Sequence, residues 1–262
     1  SHPDILATRM GMARAQRDDG DLDGALQSID AVAKTLASGP NEGPDQARTL
    51  ILRADLLREA RRFEEAERDI RKALRLQKLV FGGQDHPEVA VALSTYGSIL
   101  HDMGKIQAAH DQYREALRHN LRTVGQMHPE TASTYNSLGT LFEDAGQDEA
   151  AEKHFTKCLE IQLRTVGESS PDVANTYNNL ATVIFRRGES GEAAEMLRKA
   201  IAVLDAAGVP KGNPDRAIYE ENLEEVLHPT KGRDRKEKGR NRSETTREEE
   251  AEKEMDTDPV FM

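Results

Sequence analysis

Small side chains return along this chain in triplets with one spacing. They stand at Ala13, Ala25 and Val32, at Ala54, Ala66 and Ala73, and at Gly97, Ala109 and Ala116. Two more triplets follow, Gly139, Ala151 and Cys158, then Ala181, Ala193 and Ala200. In every triplet the separation is twelve residues and then seven. Small residues at fixed points on two helices let the backbones approach closely, and larger neighbours fill the space that remains. In one unit those neighbours are Leu138, Phe142 and Phe155, and in the next Leu180, Ile184 and Leu197. The pattern predicts five helical hairpins in series, an all-α chain.

Punctuation between the apolar positions agrees. Prolines fall at Pro3, Pro44, Pro87, Pro129, Pro171 and Pro214, separated by 41, 43, 42, 42 and 43 residues. All six are followed by an acid, and five of them are preceded by His, Ser or Asn. Proline is tolerated in the first helical turn, and a carboxylate there faces the positive end of the helix dipole, so each proline predicts a helix start. Seventeen residues after four of them comes a glycine, Gly20, Gly104, Gly146 or Gly188, which predicts the break between the helices of a pair. The second unit has Arg61-Arg62 in that place, and its turn is less well marked. A last helix, Pro214 to Leu227, carries Glu224 where the others have a small residue, as suits a solvated end cap.

Composition narrows the function classes. Hydrophobic residues make up 37%, aromatics 4%, and Trp is absent, which suits Ala- and Leu-packed helices better than a sheet-rich enzyme core. The net charge of −11 argues against general nucleic-acid binding and for solubility. No apolar run is long enough to span a bilayer, no signal peptide is seen, and the single Cys158 fits a reducing compartment, so the expected location is cytoplasmic. The chain starts without an initiator Met, which suggests a fragment. After His228 the composition changes: residues 231–242 hold seven basic and two acidic residues, residues 244–258 eight acidic and two basic. The expected division is an array over 1–228 and a charged, disordered tail over 229–262.

No catalytic constellation, phosphate loop or cofactor motif is present in the sequence, so an enzyme is not expected, and neither are cofactors. His154 and Cys158 stand four apart, as two zinc ligands could, but Cys158 occupies a small-residue slot, so packing is the expected role and no metal site is expected. His86 and His128 precede helix-opening prolines and read as capping residues.

The small-residue slots, the Leu before the first and the apolar residue three past it resemble tetratricopeptide repeats. The 42-residue period, the His/Ser/Asn-Pro-acid opening and the stretch "YNNLATVIFRRGESGEAAEMLRKAI" resemble the kinesin light chain type. The resemblance implies a right-handed superhelical solenoid of five helix pairs plus the capping helix, with the first helix of each pair lining a concave groove. In the repeat register the lining positions are Arg14 and Arg17, Asp55, Arg58 and Glu59, Ser94, Ser98, His101 and Asp102, Asn136, Thr140, Glu143 and Asp144, and Asn178, Thr182, Phe185 and Arg186. Such a groove is polar, basic toward its N-terminal end and acidic in the middle. Asn amides offer donors and an acceptor to the backbone of an extended peptide. In kinesin light chains similar Asn and basic residues hold acidic cargo peptides, which implies that role for Asn136, Asn178 and Asn175. The expected function is protein–protein interaction, as an adaptor or scaffold binding an extended peptide or partner helix. The alternative is a regulatory array belonging to a larger enzyme or sensor. Intramolecular docking of the acidic chain end, Thr257 to Met262, at the basic end of the groove is a further expectation.

Overall fold

A computed structural model describes residues 3–37 and 43–228, and these residues form eleven helices without a strand. In chain order they are α1 (Pro3–Asp18), α2 (Leu22–Ala37), α3 (Pro44–Glu59), α4 (Phe63–Phe81), α5 (Pro87–Asp102) and α6 (Ile106–Thr123). They continue with α7 (Pro129–Asp144), α8 (Asp148–Thr165), α9 (Pro171–Arg186), α10 (Ser190–Ala206) and α11 (Pro214–Leu227). All six marker prolines open helices, as the spacing predicts. The capping expectation also holds: the Nδ1 of His86 accepts from the Glu88 amide at 3.2 Å and that of His128 from the Glu130 amide at 3.1 Å. Ser170 and Asn213 cap α9 and α11 in the same way.

Every small-residue slot is buried. Sixteen positions after the first slot of each unit, the second helix sends a large side chain across it: Ile29, Ile70, Tyr113, Phe155 or Leu197, all at most 2% exposed. Where that side chain is aromatic, the slot is glycine. A Cβ at Gly97 would lie 2.6 Å from the Tyr113 ring, and one at Gly139 2.5 Å from the Phe155 ring. Where it is aliphatic, the slot is alanine. The core divides within α5 into an N-terminal block and a C-terminal block, and Tyr96 packs against both.

Three successive junctions are tied by an amide on the second helix, α4, α6 or α8. Gln77 donates to the Glu88 carbonyl at 2.9 Å, Asn120 to the Glu130 carbonyl at 3.2 Å, and Gln162 accepts from Thr176 at 2.8 Å. The helix α11 is pinned to α10 by buried Arg216, which bonds Asp205 at 2.6 Å and Glu220 at 2.9 Å. The first helices of successive pairs, α3, α5, α7 and α9, pack directly on one another, and no two second helices approach as closely among the described residues. That asymmetry curves the solenoid with the odd-numbered helices inside. Residues 229–262, the expected tail, lie outside the described residues.

Candidate functional site

The inner surface is made by one face of α1, α3, α5, α7, α9 and α11, and its polar residues pair with one another from helix to helix. Fourteen residues after each of the first four opening prolines stands a group that reaches the residue fifteen after the next proline. Arg17 lies 4.0 Å from Glu59 and 3.3 Å from Asp55. Arg58 lies 2.9 Å from Asp102, His101 Nε2 is 3.0 Å from Asp144, and Glu143 meets Arg186 at 2.5 Å. Arg186 also reaches Asp148 at 3.2 Å. These rungs form a ladder from α1 to α9 along one edge of the groove.

A second set of rungs runs through the middle. Asn179 donates to Asn136 Oδ1 at 3.3 Å, Asn222 donates to Asn178 Oδ1 at 2.9 Å, and the Tyr219 hydroxyl donates to Asn175 Oδ1 at 3.3 Å. The side-chain nitrogens of Asn136, Asn178 and Asn175 take no hydrogen bond among the described residues. Three inner hydroxyls turn back on their own helices: Ser98 donates to the Ser94 carbonyl, Thr140 to Asn136, and Thr182 to Asn178.

The lining residues therefore sit on the inner helices, in pairs that the chain itself completes. Arg17, Arg58 and Arg186 are each bonded to two or more carboxylates, while Arg14 is exposed and carries no ion pair among the described residues. Carboxylates outnumber guanidinium groups along the ladder. Burial raises the Glu143 carboxyl above the usual range, and neighbouring Asp144 and Asp148 add to the shift against the pull of Arg186. Burial and then Asp55 do the same to Glu59. Thr257–Met262 lies outside the described residues; at the basic end expected to receive it, Arg17 and Arg58 are already ion-paired and Arg14 is exposed.

Between α7 and α9, over the C-terminal end of α8, a cleft of about 180 Å³ opens, lined by Ser133, Asn136, Gln162, Thr165, Asp172 and Asn175 among others. It brings together two of the expected groove residues, Asn136 and Asn175. Sequence reasoning missed Asn179, Asn222, Tyr219, Ser133 and Asp172. Two of them carried a signal, since Asn179 and Asn222 both stand eight residues after an opening proline.

Among the described residues no group of three or more His, Cys, Asp or Glu is placed to hold a metal ion. Cys158 is buried, its Sγ 3.6 Å from the Thr176 hydroxyl, and burial pushes its thiol up to about 11. Among the described residues no helix is long and apolar enough to cross a membrane.

A family profile for the tetratricopeptide repeat matches residues 45–121 and 128–206. The chain belongs to the tetratricopeptide repeat family. Its long-period units are of the kinesin light chain type in fold. The solved structure of BtubC (BKLC) from P. vanneervenii is similar at 21% identity and a TM-score of 0.65, covering 85% of this chain and 83% of that one. A putative kinesin light chain from Podosopora anserina with nearly identical TPR-like repeats is similar at 18% identity and 0.62, covering 80% and 100%. A Rap protein complexed with Competence and Sporulation Factor is similar at 12% identity and 0.70, covering 86% and 58%. No curated protein sequence matches the chain at a significant level. At these identities the structural likeness establishes the fold, and a tetratricopeptide solenoid is in general a non-enzymatic scaffold for protein–protein interaction.

Proposed function

We propose that this tetratricopeptide array is a cytoplasmic adaptor that holds an extended peptide of a partner protein along its inner surface, centred on α7, α9 and α11. One observation carries the reading. Asn136 and Asn178 stand in the same place on successive inner helices, each with its Oδ1 taken by a neighbouring Asn and its amide nitrogen unused. A fixed amide with a spare N–H is a donor held ready for a backbone carbonyl, whatever side chain the peptide carries. Inner helices pack at about 10 Å. An extended peptide advances about 3.3 Å per residue, so successive donors would meet carbonyls about three residues apart. A Rap protein of similar fold is solved in complex with Competence and Sporulation Factor, which supports a partner-binding role for such a solenoid.

The role assigned to Asn136 and Asn178 is narrower than the sequence alone suggests: each offers the N–H groups of its amide as donors, because its oxygen already accepts from a neighbouring Asn. The test is affinity selection of peptides or partner proteins on the full chain, followed by titration of a selected peptide. Asn136→Ala and Asn178→Ala should each weaken binding by about 1–2 kcal/mol. Lys153→Ala, on the exposed face of α8, should leave it unchanged. Losses at Lys153 without losses at the two Asn positions would move binding to the convex side.

A further inference from the structure

The cleft between α7 and α9 is matched, two units earlier in the same chain, by a place that is filled. Four residues after its proline, the second unit has Arg48. Its guanidinium crosses to Glu88, the residue directly after the next unit's proline, with Nε at 3.0 Å and Nη2 at 2.5 Å from one carboxylate oxygen, and it also touches Asp45 at 3.2 Å. In the fourth and fifth units the same two places are Ser133 and Asp172. The acid is kept and the arginine is gone. The carboxylate of Asp172 carries no ion pair among the described residues, and no cationic side chain lines the cleft. At the intervening junction the arginine's place is taken by Val91.

We propose that this cleft takes the guanidinium of an arginine carried by the bound partner peptide, seated against Asp172 and Ser133. The proposal rests on the groove reading above and specifies its ligand. A guanidinium presents a planar fork of donors that matches the two oxygens of a carboxylate, and a weakly hydrated cation enters a narrow polar cleft at less cost than an ammonium. The Ser133 hydroxyl makes no hydrogen bond among the described residues and can accept from the same fork. The spare amide nitrogens of Asn136 and Asn175 point to the other requirement, since both line the cleft and can donate to the carbonyls flanking the arginine. A peptide carboxylate there would face Asp172 with no cation to offset it, and the ladder's arginines are occupied. The preference is therefore for a basic ligand, opposite to the acidic cargo that the family resemblance implies.

The test uses the full chain and immobilised random nonapeptide pools whose central residue is fixed as Arg, Lys, Gln or Glu. Retention on the Arg pool should exceed that on the Gln pool by about tenfold, with the Glu pool lowest. Ser133→Arg places the chain's own guanidinium beside Asp172, as Arg48 sits beside Glu88, and should abolish the Arg preference while thermal stability is held or raised. Asp172→Asn should level the Arg and Gln pools. Equal retention of Arg and Gln pools by the unaltered chain overturns the proposal while leaving the groove reading in place. No retention of any pool overturns both. The chain's own basic segment, 231–242, is the other source of arginine. Arg233, Arg235, Arg240 and Arg242 changed together to Gln should leave pool binding unchanged, and a several-fold gain would assign the cleft to that segment instead of a partner.

Discussion

Arg61 is the one non-glycine residue in the described chain with a positive φ, 58°, and it stands where the other hairpins turn on glycine. The hairpin forms nonetheless, because α3 and α4 bury Leu56, Leu57, Ala66 and Ile70 against each other, and packing holds the turn in a backbone region that L side chains disfavour. Arg61→Gly should stabilise the chain by about 1 kcal/mol, read as a shift in the urea midpoint. No change would mean that the arginine's position over the Phe63 ring, 5.8 Å away, compensates for the strain. His154 offers a second residue-scale test. It stacks on Phe142 at 5.1 Å beside Tyr135, and burial first, then His110 and Lys153, lowers its imidazolium from 6.5 to about 4. The folded state keeps it neutral while the unfolded chain takes up the proton, so its contribution is complete above about pH 6.5 and is lost as pH falls toward 4. The loss is on the order of 2–3 kcal/mol. In His154→Phe, stability between pH 6.5 and 4 should fall less steeply than in the unaltered chain, and parallel curves would show that His154 is not the group responsible.

At the scale of the element, the match of glycine to aromatic and alanine to aliphatic across each hairpin is a packing rule written inside one chain. Gly139→Ala alone forces Phe155 to move and should cost about 1–3 kcal/mol. Phe155→Leu alone leaves space unfilled and should also destabilise. Together they recreate the Ala181–Leu197 pair of the next hairpin and should recover most of the loss, with a coupling of at least about 1 kcal/mol in the double-mutant cycle. Additive losses would mean that the slots do not set the hairpin's packing. Helix starts, breaks and small slots were legible in the sequence because each is decided within a few residues, by proline, by glycine or by one close contact. The pairing of Gly139 with Phe155 was legible too, at sixteen residues' separation, but it needs the two helices of a unit to be read together. Only the second turn resisted, since Arg61 adopts the glycine conformation under tertiary constraint.

Across the whole molecule, what a single repeat encodes and what the array creates part company. Asn136, Asn178, Thr140, Thr182, Arg17, Arg58 and Arg186 could be placed on the inner face from their register alone. Their partners could not, because a rung such as Arg58–Asp102 or Asn178–Asn222 depends on how far each hairpin is rotated and shifted on the last. Those rungs turn a groove that reads as alternately basic and acidic into one whose arginines, apart from Arg14 at its N-terminal end, are spent and whose open groups toward α9 are amide donors and Asp172. The account stands on the peptide lying inside the curve. A peptide selected on the full chain, rebuilt with a photoreactive benzoylphenylalanine at successive positions, would report its own path by mass spectrometry of the adducts. The adducts should fall on the inner faces of α7, α9 and α11, with Ser133, Asn136, Asn175 and Asn178 among the labelled neighbourhood. Adducts concentrated on the exposed faces of α8 and α10 would contradict it.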